Sequence, residues 1–299
     1  MTEIALGVVV FTRTEKLEGL LESVENTPIE KVYIADNGRM TPRKKELYAR
    51  DFDFETAILD LEYDIGLGYS RNRIVSEASE EFLLIVDSDN KIPHNVTLLA
   101  EQLTARPNIG GIAGTMIEPE IGRICQSAKD FYVDDGKLVR TVHHDEKEIE
   151  YIAESPFIQF DIVPNITMYR KECLEDYSWD PDIPIRREHA DFYVGHWRKT
   201  DWKFGVCPEV LFRHYPGGDT GYVSHRHDRE REKRAEQYFL DKWGYDDFQY
   251  ERLYWYDTHH DPLGLLDRAR RIQREDGPTA LTKRSLKKAA RIARRTVFE

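Results

Sequence analysis

The chain has 299 residues, 40% hydrophobic and 33% charged, with a formal net charge of −12. That length is enough for one α/β domain with appendages. No run approaches the ~20 apolar residues of a membrane-spanning helix, so a soluble protein is expected. Cys125, Cys173 and Cys207 are odd in number and far apart, which excludes a disulfide framework or a zinc spacing and makes a reducing cytoplasm the expected location. Charge is distributed unevenly: residues 263–299 carry 11 Lys+Arg against 4 Asp+Glu, leaving the preceding residues near −19. An acidic body argues against nucleic acid as a partner.

In chain order, Ile4–Phe11 (IALGVVVF) is a near-continuous apolar run, as expected for a strand buried on both faces and not for a signal peptide. Thr12 and Glu15 form a capping-box pattern, followed by Leu17, Leu20, Leu21 and Val24 at helical spacing. Lys31–Ala35 predicts a second strand ending at Asp36-Asn37-Gly38, for which a turn with Gly38 at positive φ is the plainer alternative to a ligand contact, and Ala57–Leu61 a third. Ser70–Ala78 predicts a helix, and Phe82–Val86 (FLLIV) a buried strand that runs into Asp87. Strands alternating with helices predict a mainly parallel sheet with helices on both faces. Further on, Phe157–Arg170 and Trp202–Tyr215 look strand-like, Ala190–Arg198 and Glu230–Trp243 helical. After Asp261-Pro262 the pattern becomes a basic helical tail, broken at Gly277-Pro278.

Three motifs carry chemistry. Asp87-Ser88-Asp89 closes a buried strand, and ligands of open α/β sheets bind at the carboxyl ends of strands. Two carboxylates one residue apart suit a divalent ion such as Mg²⁺ or Mn²⁺, which also bridges phosphate oxygens; a solvated turn is the plainer alternative. Asp36 also terminates a strand, where its carboxylate suits a nucleotide base or ribose. Between them, Gly66-Leu67-Gly68-Tyr69-Ser70-Arg71-Asn72 opens a helix whose N–H groups attract phosphate, with Arg71 adding charge.

Taken in order, these segments resemble family 2 glycosyltransferases of the GT-A fold. VVVFTRTEKLEGLLESV looks like the family's first strand, loop and helix, VYIADNG like its nucleotide-contacting strand end, GLGYSRNR like its Arg-Asn motif, and FLLIVDSDNKIP like its Asp-x-Asp strand. The resemblance covers residues 4–115 well and 155–215 more loosely. It implies a GT-A domain over 1–250, with a nucleotide-sugar half (1–115) and an acceptor half (116–250), followed by a basic helical extension (251–299).

By that resemblance Thr12, Arg13 and Glu15 lie near the base and ribose of the donor, Asp36 and Asn37 at the base, Gly68 and Arg71 near the pyrophosphate. Asp87, Ser88 and Asp89 face ribose and metal, and His214 completes the metal site. The acidic pair that heads the family's acceptor helix corresponds to Arg187-Glu188-His189-Ala190-Asp191, where His189 replaces the usual second acid. Glu188, His189 and Asp191 are all candidate bases. The implied activity is metal-dependent transfer, with inversion, from a UDP- or GDP-sugar to a hydroxyl of a saccharide or polyprenyl-linked acceptor. Gly217–Gly221 reads as a loop that closes over donor phosphates, His225 and His227 as part of a solvated helix start, and Trp179 and Trp202 as core. Residues 283–295, with seven basic residues and no acid, suit an anionic surface at the inner face of the membrane. Rival readings are a non-catalytic nucleotide-sugar-binding or membrane-docking protein, a sugar-phosphate nucleotidylyltransferase and a nuclease.

Overall fold

The computed structural model describes residues 3–120, 123–125, 128–142, 147–183, 185–217 and 229–251. Loop residues 218–221, His225, His227 and the extension beyond Glu251, with its basic 283–295 segment, lie outside the described residues.

Four parallel strands build the N-terminal half: β1 (Ile4–Val10), β2 (Lys31–Asp36), β3 (Glu55–Asp60) and β4 (Phe82–Asp87), side by side in the order β4-β1-β2-β3. The apolar run of β1 is buried because both of its neighbours are strands and helices cover the sheet. Helices α1 (Thr14–Val24), α2 (Pro42–Tyr48) and α3 (Leu67–Glu77) make the connections. Leu17, Leu20, Leu21 and Val24 of α1 are buried, as their spacing predicts. The capping box does not form: Arg13 is the N-cap residue without a side-chain cap, and exposed Glu15 pairs with Arg43 instead. Helix α3 starts at Leu67, a turn ahead of the predicted Ser70.

Chain order reverses beside β1, since β2 and β3 lie to one side and β4 to the other. Such a switch point opens a crevice at the carboxyl ends of the strands. The second half widens the sheet with β5 (Asn90–Lys91), β6 (Ile109–Glu118) and β7 (Arg123–Cys125). A small separate sheet contains β8 (Asp130–Asp134) and β9 (Lys137–Thr141). The main sheet also takes in β10 (Glu150–Ile152), β11 (Ser155–Phe160), β12 (Ile166–Arg170) and β13 (Lys203–His214), and β14 (Asp247–Tyr250) completes the small one beside β9. β12 inserts antiparallel between β4 and β6, whereas β13 runs parallel to β6. The stretch expected as continuous from Phe157 to Arg170 is therefore two strands, interrupted before Ile166.

Helices α4 (Thr97–Ala105), α5 (Lys171–Asp176), α6 (Glu188–Lys199) and α7 (Arg229–Trp243) complete the described chain. α7 ties distant parts together: Arg231 reaches Asp64 at 2.7 Å and Lys242 reaches Asp191 at 2.8 Å. Trp179 is core, 2% exposed and stacked on Phe192 of α6 at 4.4 Å. Cys173 and Cys207 are buried free thiols. Among the described residues no helix is long and apolar enough to cross a membrane.

Candidate active site

Register sets the two strand-end acids on either side of β1. Val9 of β1 lies opposite Asp87 of β4, and Val10 lies opposite Asp36 of β2. The two residues thus flank one strand with their Cα atoms about 10 Å apart by ordinary inter-strand spacing, and because Val9 and Val10 alternate in direction the two side chains leave opposite faces of the sheet.

Their surroundings differ. Asp36 is 1% exposed; its Oδ1 accepts from Lys44 Nζ at 2.6 Å and Gly38 N at 2.9 Å, its Oδ2 from Tyr48 at 2.7 Å. Lys44 also donates to the Phe11 carbonyl at 2.9 Å. The expected Asp36 contact to a base is therefore not open in this structure: the carboxylate fixes the strand end by anchoring α2. Gly38 is needed for close approach and not for positive φ, since a Cβ there would lie 1.7 Å from the Phe11 carbonyl oxygen. Asn37 is buried, donating to Ser70 at 3.1 Å while its Oδ1 has no partner among the described residues. Its carbonyl accepts from Asp64 N at 2.8 Å, which places half-exposed Tyr63 beside the strand end. Thr12 is exposed at the mouth of the same crevice.

Past β4 the chain turns sharply, with Asn90 donating to the Asp87 carbonyl at 3.1 Å. Ser88 is buried, and Asp87 keeps 41% of its side chain exposed. β5 then pairs with the end of β13, setting Asn90 opposite His214. This pairing brings His214 Nε2 within 3.6 Å of Asp89 Oδ2. On its other side His214 Nδ1 faces Glu118 Oε1, also at 3.6 Å. At that distance Glu118 is an electrostatic neighbour of the ring and not a hydrogen-bond acceptor for it. Arg13 also pairs with Asp89. Burial alone would push the Asp89 carboxyl up, but Arg13 and then His214 outweigh it and hold it well below the usual carboxylate range.

Arg71 of α3 is 1% exposed and spans both halves: Nη2 is 3.5 Å from Asp87 Oδ1 and Nη1 3.8 Å from Glu188 Oε1. Its guanidinium stacks on Trp179, 5.5 Å from the ring centre. Asn72 locks the same junction, donating to the Trp179 carbonyl at 2.7 Å and accepting from Trp179 N at 3.1 Å. Gly68 lets this loop approach, since a Cβ there would sit 2.7 Å from the Asp180 carbonyl oxygen.

The head of α6 separates the three candidate bases. Glu188 faces Arg71 across the crevice. Asp191, in contrast, is 0% exposed, with Oδ1 accepting from Trp243 Nε1 at 2.8 Å and Oδ2 from Lys242 at 2.9 Å. Both oxygens of Asp191, one of the candidate bases, are thus engaged in holding α7 to α6. His189 donates to the Val163 carbonyl through Nε2 at 2.8 Å; since a carbonyl only accepts, Nε2 carries the proton and Nδ1 the lone pair. Burial, and then the charges of Arg71 and Arg140, push the His189 pKa down to about 3, a weak proton acceptor near neutrality.

Among the described residues no three His, Cys, Asp or Glu side chains gather into a complete metal site. The donor set still fits a divalent ion shared with a ligand. Asp89 and His214 supply an oxygen and a nitrogen 3.6 Å apart, and such ions commonly take their remaining ligands from phosphates and water.

No protein-family model matches the sequence, and no curated protein does. Solved structures match in fold. S. aureus TarS 1–349 in complex with UDP-GlcNAc aligns at TM-score 0.56 and 14% identity over 93% of this chain and 75% of that one. GalNAc-T7 with UDP, GalNAc and Mn²⁺ aligns at 0.56 and 13%, over 72% of this chain and 44% of that one. The mannosyltransferase PcManGT from Pyrobaculum calidifontis, in complex with GDP-Man and Mn²⁺, aligns at 0.52 and 13%, over 81% and 64%. The chain thus spans less than two thirds of the last two. These likenesses show the fold: a mixed α/β sheet with flanking helices, of the GT-A type.

Proposed function

We propose that the protein is a glycosyltransferase, moving a sugar from a nucleoside-diphosphate sugar to an acceptor hydroxyl with inversion at the anomeric carbon. One observation carries the reading: Arg71 is buried between Asp87, at the strand end where a donor diphosphate would lie, and Glu188, at the head of the acceptor helix. That arrangement sets an anion-binding group and a carboxylate base next to one another, at the edge of one reaction centre. The bound nucleotide sugars of the structural neighbours support the same reading.

Asp89 and His214, backed by Glu118, would hold Mn²⁺ or Mg²⁺, with Asp87 beside them. When bound, such an ion supplies charge neutralisation for a departing diphosphate. Glu188 takes the proton of the acceptor hydroxyl as its oxygen bonds to the anomeric carbon. The bond from that carbon to the diphosphate breaks, and its electron pair leaves with the diphosphate toward Arg71. Arg13 moves from Asp89 to the donor phosphates or ribose, and Asn37, with its open Oδ1, lies at the base. The donor is a UDP- or GDP-sugar, and the acceptor a glycan or lipid-linked saccharide.

Thermal stabilisation by UDP, GDP and their sugars, with and without Mn²⁺, tests the donor site. A ligand at 100 times its Kd contributes about 2.7 kcal/mol. Stabilisation by one nucleotide that needs Mn²⁺ and vanishes in Asp89→Asn is expected; no response to any nucleotide from folded protein overturns the reading.

A further inference from the structure

Beside the head of α6 lies a second cavity, of about 400 Å³, lined by Arg140, Arg186, Arg187, His189, Glu232 and Tyr250 among others. Its cations are matched unevenly. Arg186 pairs with Glu232 at 2.7 Å, and Arg187 pairs with Glu236 and donates to Tyr250 at 2.7 Å. Arg140, at the end of β9, pairs with no carboxylate among the described residues. Its guanidinium stacks on Tyr250 at 4.5 Å from the ring centre, and its Nε is buried without a hydrogen-bond partner. Among the described residues three guanidinium groups here meet two carboxylates.

Two further features belong to the same wall. His189 Nδ1, the lone-pair nitrogen, is buried without a partner among the described residues. Arg186 has φ of +77°, a left-handed conformation unfavourable for a non-glycine residue. An unpaired donor, an unpaired acceptor and a strained arginine thus surround one space next to Glu188.

We infer that this cavity binds an oxyanion on the acceptor, a phosphate or a carboxylate, against Arg140 and its two neighbouring arginines, with His189 Nδ1 accepting from a hydroxyl of the same molecule. The inference rests on the glycosyltransferase reading for the word acceptor; the anion site itself rests on the cavity. A guanidinium presents a planar fork that matches carboxylate and phosphate oxygens two at a time. Burial, and the like charge of Arg187, weaken Arg140's hold on its proton, and a bound anion would relieve that cost. Since the chain carries −12 overall, selection of an anionic acceptor is local, made by these contacts and not by long-range attraction.

The test is calorimetric titration of the full chain with methyl phosphate, methyl glucuronide and neutral methyl glucoside, each with and without a saturating nucleoside diphosphate and Mn²⁺. Saturation keeps methyl phosphate out of the donor site. The expected result is binding of an anionic probe under both conditions, with the glucoside at least about tenfold weaker. Whichever anion binds more tightly identifies the group. Arg140→Gln is expected to lose about tenfold in anion affinity while keeping its response to nucleotide; Arg140→Lys, which keeps the charge but not the fork, loses less and carries the test if the glutamine variant does not fold. Equal binding of glucoside and glucuronide, or anion affinity unchanged by either substitution, overturns the inference. A wild-type protein that ignores nucleotides yet binds anions through Arg140 separates failure of the donor reading from failure of this one.

Discussion

Arg71 Nη1 lies 3.8 Å from Glu188 Oε1, joining a helix of the N-terminal half to the first residue of α6. This contact distinguishes Glu188 from Asp191, three residues on. Glu188→Gln is expected to lower kcat by about 10²–10⁴-fold while nucleotide binding is kept. Asp191→Asn acts differently: it leaves Lys242 with Asp180 alone at 2.7 Å and lowers stability by about 1–2 kcal/mol, with kcat nearly unchanged. Steady-state kinetics beside urea denaturation distinguishes the two. A larger kcat loss for Asp191→Asn than for Glu188→Gln would reverse the assignment.

Arg13 and an added cation compete for Asp89. Removing the arginine charge is therefore expected to move two affinities in opposite directions. Arg13→Gln tightens Mn²⁺ binding measured without nucleotide, by several-fold, and weakens nucleoside diphosphate binding measured at saturating Mn²⁺. Titration of each ligand into wild type and variant checks this. Weakening of both would make Arg13 a support for the metal site and not its competitor.

The Lys44–Asp36 pair is 1% exposed at both ends. Breaking such a pair from one side leaves an uncompensated buried charge, which costs about 3–5 kcal/mol. Lys44→Met is expected to lower the urea midpoint accordingly, with the denaturant slope unchanged. A loss under about 1 kcal/mol would mean that Tyr48 and Gly38 alone hold Asp36.

Acid is expected to weaken the fold through His196. This residue is 0% exposed, and its pKa is lowered to about 4, by burial above all. Because the folded value lies below the unfolded ~6.5, the unfolded chain binds the proton first. The stability contributed is complete above pH 6.5 and is lost as pH falls toward 4, at about 2 kcal/mol between pH 7 and 5. Urea midpoints at the two pH values measure it. An equal fall in His196→Phe would assign the effect elsewhere.

Much of the N-terminal half is legible in the sequence because each segment is locally consistent. VVV, KVYIA and FLLIV read as strands buried between others, and Asp36 and Asp87 mark where the last two runs stop. The spacing of α1 gives its buried face, although not its cap, since Arg13 and Glu15 are drawn to Asp89 and Arg43 by tertiary contacts. What was not legible depends on pairing across the sheet. Glu118 reaches His214 only because β13 runs beside β6, and Lys44 reaches Asp36 only because α2 folds back over the strand end. Asp191 and Glu188 read alike on a helix, and only the packing of α7 separates them. Arg140 sits in a short strand of a small sheet that no motif announces.

The most direct measurement is release of nucleoside diphosphate from a panel of UDP- and GDP-sugars, with water or a saccharide as acceptor, in the presence of Mn²⁺. The account predicts turnover with one nucleotide class, suppressed by chelation and by Asp89→Asn, and slowed about 10²-fold or more in Glu188→Gln while that variant still binds the nucleotide. Binding of the nucleotide sugar with no release across the panel and a range of acceptors, or release unaffected by Glu188→Gln, would contradict it.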